Sequence, residues 1–137
     1  MTEKTVMDAL VQMKRTGNLF NELEDLTRQM GEAIDRNDQV SLEMLIAMRE
    51  EPLGKLQEAD RAVRDQLELQ TDKFEAAQLV SMLNGGPPAD SGERVQQQLC
   101  EQVAANNRHL KRIIELDRQL NERLARENSV YRQDLSG

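Results

Sequence analysis

Two residues in this chain could by type serve as nucleophile, base or soft metal ligand. They are Cys100 and His109, and each is the single residue of its kind. A cysteine is activated by a histidine only within hydrogen-bond reach. These two lie nine positions apart in a stretch with helical periodicity, about 13 Å along a helix axis. They therefore do not make a catalytic pair. One histidine excludes a His-rich metal site, and a lone helical histidine reads as a solvated residue. Glu50-Glu51 is the compact acidic pair a cation could use, but a two-carboxylate site has no further support. The glycines of Asn84-Gly85-Gly86-Pro87-Pro88 lack the Gly-x-x-x-x-Gly-Lys-Ser/Thr pattern of a phosphate loop, and no strand precedes them. No Gly-x-Ser-x-Gly nucleophile elbow occurs. The other carboxylates recur three or four positions from Lys or Arg, as solvated helix faces require. The expectation is a protein that is not an enzyme and holds no cofactor and no metal.

The elements that carry these residues are helices. Hydrophobic residues make up 38% of the 137 and aromatic residues 2%, while 31% are charged. Strong helix formers dominate and alternating apolar–polar runs are missing, so no strands are expected. So thin an apolar supply predicts one elongated domain over 1–137 with a core of Leu, Ile, Val and Met rather than a thick globule. The last third sets the scale. Val95, Leu99, Val103, Asn106, Leu110, Ile113, Asp117, Leu120, Leu124 and Tyr131 step mostly by three and four. No Pro or Gly interrupts the chain from Glu93 to Ser136. A helix over about 92–134 would reach roughly 65 Å, and something must cover its seam.

The first helix is expected over about 3–36, capped by Thr2 or Thr5, with a seam of Val6, Leu10, Met13, Gly17, Phe20, Leu23, Leu26, Met30 and Ile34. Gly17 leaves two readings, a continuous helix or a break at Thr16-Gly17-Asn18; the seam register favours continuity. Arg36-Asn37-Asp38 reads as a turn, which makes helices one and two antiparallel neighbours. Helix two is expected over about 39–83. Pro52 removes the bond to the Met48 carbonyl, at a cost of about 3 kcal/mol inside a helix. The helix either kinks there or stops and restarts; the surviving seam phase favours a kink. A loop over 84–91 follows, with Asp90 and Glu93 resembling a capping box and Ser91 as the alternative cap. The predicted fold is all-α, an antiparallel bundle of three long helices, the second kinked and the third very long.

The net charge of −7 divides as −2 over residues 1–37, −5 over 38–84 and zero over 85–137. So acidic a chain, poor in stacking aromatics, is a poor nucleic-acid binder. Residues 108–132 are locally basic, and that face is expected to lie beside the acidic middle helix. No apolar run approaches the ~20 residues of a membrane span, so no membrane insertion is expected. Met1 to Leu10 has no signal-peptide core. With the single unpaired cysteine, a cytoplasmic location is expected.

What remains is a surface for another protein. Around Ile113, Ile114 and Leu116 the third helix carries more apolar residues than one seam uses. The candidate partner-binding residues are Leu110, Ile113, Ile114, Leu116, Leu120 and Leu124, which would take an incoming helix along the C-terminal half of helix three. Methionines such as Met7, Met13, Met30, Met44 and Met48 suit an adaptable apolar surface or a thin core.

The segment LFNELEDLTRQMGEAIDRNDQVSLEMLIAMREEPLGKL, Leu19 to Leu56, resembles the start of flagellar export chaperones of the FlgN type. RIIELDRQLNERLARENSVYRQDL, Arg112 to Leu135, resembles the third helix of those chaperones and of the related FliT chaperones. The resemblance implies a cytoplasmic chaperone of flagellar type III secretion. Its cargo would be the C-terminal helix of a hook-associated (hook–filament junction) protein or a filament-cap protein. It would prevent premature assembly and deliver that cargo to an export-gate component. Family members dock at the gate through a tyrosine in the C-terminal segment, and Tyr131 is the single tyrosine here. The alternative is a coiled-coil scaffold or adaptor, self-pairing as a homodimer or binding a regulatory partner.

Overall fold

The computed structural model describes the backbone of residues 1–136 and the side chains of residues 1–126. Among the described residues all regular structure is helical, in five segments: α1 Glu3–Asp35, α2 Gln39–Met48, α3 Glu50–Glu68, α4 Lys73–Leu83 and α5 Arg94–Ser136.

α1 begins at Thr2, whose hydroxyl accepts from the Thr5 amide at 3.2 Å. It runs through Gly17 without a break. It ends where Asn37 takes a left-handed φ of 56°, and the Asp38 amide turns back to the Ala33 carbonyl at 2.9 Å. Asn tolerates this conformation better than most residues, and the returning bond satisfies a carbonyl the helix end would strand. Asp38 then caps α2 through the Ser41 amide at 3.0 Å.

The single helix expected over 39–83 is instead three segments. At Arg49 the backbone stays right-handed helical, at φ −67° and ψ −21°, and the flanking bonds Arg49 N–H to Leu45 O and Leu53 N–H to Arg49 O both form. Pro52 has no N–H for the Met48 carbonyl, so the ladder opens there and α2 and α3 meet at one residue. The second interruption, Leu69 to Asp72, has a different cause. Asp72 accepts from the amides of Phe74 and Glu75 at 2.9 and 3.3 Å and starts α4 afresh. The Asp90–Glu93 box does not form as drawn. Asp90 Oδ1 accepts from the Gly92 amide, and Gln96, not Glu93, reaches back to the Asp90 amide at 2.8 Å.

α1 is the central helix. α2 and α3 run antiparallel to it, pairing Ile34 with Leu42 and Leu45 at one end and Thr5 with Gln66 and Gln70 at the other. α5 runs parallel to α1 and is its most extensive neighbour. Three apolar clusters mark the shared axis. Val6, Ala9 and Leu10 meet Leu79, Met82, Val95, Leu99 and Val103. Phe20 and Leu23 meet Ile113 and Leu56. Leu26, Met30, Ala33 and Ile34 meet Leu42, Leu45, Leu120 and Leu124. The core is as thin as so few large apolar residues allow.

The basic face of α5 does not lie on the acidic middle helix. Its His109 and Arg112 reach Glu24 of α1, at 2.7 and 3.6 Å, and Arg123 binds Asp35 and the Gly31 carbonyl of α1. The ion pair between α5 and the α2–α3 junction has the opposite polarity, Asp117 accepting from Arg49 at 3.1 Å. Net charge by segment does not see that α1 presents Glu24 and Asp35 on the α5 side.

Candidate functional site

The six apolar residues singled out on α5 divide by burial. Ile113 and Leu120 are core residues, and Leu124 packs on the cluster at the end of α1. Leu116 is half-buried. Ile113, Leu120 and Leu124 are engaged in the fold, which removes them as a free partner surface, while Leu116 lines an open hollow with Thr27, Gly31 and Leu120. The cause is that α1 accompanies α5 as far as Arg123 and Leu124, so the C-terminal half of α5 through Leu124 belongs to the bundle. Leu110 and Ile114 are different: they are 39% and 58% exposed. Tyr131, the candidate for gate docking, lies outside the residues whose side chains are described.

Leu110 and Ile114 continue a stripe whose start is covered. Seven residues is nearly two helical turns, so Val103 and Leu110 share a face, with Ile114 beside them. At Leu99 and Val103 that stripe is buried in the cluster formed with Leu79 and Met82 of α4 and Val6, Ala9 and Leu10 of α1. α4 ends at Leu83, and Gly85 follows with φ 97°, a left-handed conformation that favours glycine. The turn abuts Asn107: a Cβ at Gly85 would stand 3.7 Å from its Nδ2. Beyond Asn107 the stripe is uncovered. It closes at Asp117, three residues after Ile114 and on the same face, where Arg49 crosses from the α2–α3 junction.

α3 also packs on α1. Leu56 rests on Phe20, Leu23 and Ile113. Leu53, one turn earlier, is exposed, and a hollow lined by Glu50, Leu53, Gly54, Leu56, Gln57 and Asp60 opens beside it. α3 and α5 pack on α1 rather than along each other. Apolar surface is thus presented by Leu53 and half-buried Leu56 on α3 and by Leu110 and Ile114 on α5, with Leu56 packed on the cluster that holds Ile113. The α5 stretch is bounded by the Gly85 turn and by the Arg49–Asp117 pair. Asn107 to Asp117 spans about 15 Å, some three turns of a helix lying alongside.

The other side of α5 is polar and internal. Asn106 donates to the Met13 carbonyl at 2.8 Å and accepts from Gln102 at 2.9 Å. Gly17 makes room for both: a Cβ there would stand 2.8 Å from Asn106 Oδ1 and 2.9 Å from Gln102 Nε2. His109 is not solvated. It is buried, donates to Glu24 and meets the Phe20 ring edge-on, with centroids 5.9 Å apart. Burial is the largest single influence on Glu24 and opposes its ionisation. Hydrogen bonds from Arg28 and His109, with their charges, together outweigh it and hold the carboxyl below its ordinary value. Burial pushes the Cys100 thiol up, away from thiolate. Nine residues also place Cys100 and His109 on opposite sides of α5. Among the described residues, no three His, Cys, Asp or Glu side chains gather as a metal site. Nor, among them, is any helix long and apolar enough to cross a membrane.

No family model, curated protein or solved structure matches this chain.

Proposed function

We propose that this protein is a helix-binding module that acts as an export chaperone of the flagellar type, holding the C-terminal helix of a hook-associated or cap protein in a trough between Leu53 and Leu56 of α3 and Leu110 and Ile114 of α5. The observation that carries the reading is the stripe on α5: buried at Leu99 and Val103 in the cluster shared with α1 and α4, exposed at Leu110 and Ile114. An amphipathic helix of about three turns laid between Leu53, Leu56, Leu110 and Ile114 would extend the cover that α4 begins, and would bury apolar surface of both partners. Such burial contributes roughly 25 cal/mol per Å² of apolar area removed from water, before the cost of ordering the guest. A cargo helix that self-associates when free would lose that surface to the trough. Delivery to an export gate in the cytoplasm rests on the chaperone resemblance and on Tyr131.

The test is light scattering of the full chain alone and with the C-terminal helix of a flagellar hook-associated protein. The expected result is a monomer that becomes a one-to-one complex. A stable dimer that takes up no such helix would favour the scaffold alternative and end the chaperone reading.

A further inference from the structure

We propose that the outer face of α2 is a second docking surface, separate from the trough, and that it takes an amphipathic helix carrying Lys or Arg beside its apolar stripe. In the ten residues of α2, Gln39–Met48, the one charged side chain is Glu43. A helix that is apolar all round belongs inside a protein. Yet α2 buries only Leu42 and Leu45, on the side that meets α1. Val40, Met44 and Met48 follow one another at intervals of four, starting opposite the buried pair at Val40 and turning to the flank beside Leu45 at Met48, and are 75%, 57% and 50% exposed. Ala47 is exposed between them. Scattered apolar residues on a surface need no explanation, but a contiguous stripe covering most of a helix does. Two of its three large members are methionines, whose unbranched side chains adapt to differing partners.

Charge selects the occupant. Glu43 lies on α2 itself, and Glu50 and Glu51 open α3 directly after it, with Glu51 already paired to Lys55. The nearby cations are turned away or matched. Arg49 points inward to Asp117 and the Met30 sulfur, Arg36 meets Asp38 at 3.8 Å, and Lys55 meets Glu51 at 3.0 Å. Two copies of the chain joined through this face would bring like-charged edges together, which disfavours self-pairing. A guest with basic residues beside its stripe meets apolar surface at the centre and carboxylates at the rim. α2 is about 15 Å long, so the guest contributes about three turns.

The test uses the full-length protein and two labelled amphipathic peptides with the same leucine stripe, one with lysine and one with glutamate on the polar face. Fluorescence anisotropy should show binding of the lysine peptide, weakened by salt, and binding at least about tenfold weaker for the glutamate peptide. Val40→Ser, Met44→Ser and Met48→Ser together should weaken the lysine peptide by about tenfold or more, while Leu110→Asp with Ile114→Asp leaves it unchanged. Glu43→Gln with Glu50→Gln, the two carboxylates without an ion-pair partner among the described residues, should weaken only the lysine peptide. Equal binding of both peptides overturns the charge selection. Insensitivity to the triple variant, or loss in the Leu110/Ile114 variant, overturns the placement on α2. A dimer of the unmodified chain that the triple variant dissolves would assign the face to a second copy instead.

Discussion

Replacing Gly17 by alanine sets two known effects against each other at one atom. Gly17 lies in mid-helix, where alanine is favoured by up to about 1 kcal/mol. The new methyl would stand 2.8 Å from Asn106 Oδ1 and 2.9 Å from Gln102 Nε2, closer than carbon packs against either. Asn106 is buried, and its amide is shared between Gln102 and the Met13 carbonyl. Pushing it aside strands a buried donor or acceptor, at about 1–3 kcal/mol for each group left unmade. The structural term wins, and Gly17→Ala should destabilise the protein by about 1–3 kcal/mol. The sign should reverse once the obstacle is removed. In an Asn106→Ala background the same substitution should stabilise by about 0.5–1 kcal/mol, because the Gln102 amide, no longer held by Asn106, can swing clear and helix propensity then decides. Urea denaturation followed by circular dichroism on the four members of this cycle reads both numbers. If Gly17→Ala stabilises the unmodified protein as much as the Asn106→Ala variant, the close approach of α1 and α5 at this point is not as described.

Two further outcomes test the core and its charges. Leu99 is fully buried among residues of α1, α4 and α5; Leu99→Ala should cost about 2–5 kcal/mol in the same denaturation assay. The folded pKa of Glu24 lies below its ordinary value of 4.5, so its contribution to stability is present above that value and fades as pH falls through the folded one. Glu24→Gln should therefore lower stability at neutral pH and flatten the acid side of a stability–pH profile, with the two proteins converging in acid.

Much of the helical layout was legible because it rests on short-range chemistry. The cap at Thr2, the Asn37–Asp38 turn and the end of α4 at Asn84-Gly85 depend on residues within a few positions of one another. Gly17 stayed in helix because the seam register on both sides demanded it. The break at Leu69–Asp72 had a signal that periodicity masked: Asp72 with Glu75 three residues later is a helix-start pattern, overridden by the apolar phase running through it. The role of His109 was not legible, since its partners Glu24 and Phe20 are contributed by a helix some 85 residues away. Spacing did separate Ile113, in the seam, from its neighbour Ile114 outside it. It could not show that Leu110, a seam residue too, is left exposed, because that depends on α4 ending at Leu83. The outer face of α2 was missed because its residues continue a hydrophobic run that looks like core until the neighbours are in place.

The central claim is that the trough between α3 and α5 receives a partner helix, and its most direct test is the pair Leu110→Asp and Ile114→Asp. Both residues are exposed, so the double variant should keep the helical circular dichroism and the denaturation midpoint of the parent. Titrated calorimetrically with the C-terminal helix of a hook-associated or cap protein, the parent should bind and the double variant should show no measurable heat of binding. A double variant that folds normally and binds that helix as tightly as the parent would contradict the account.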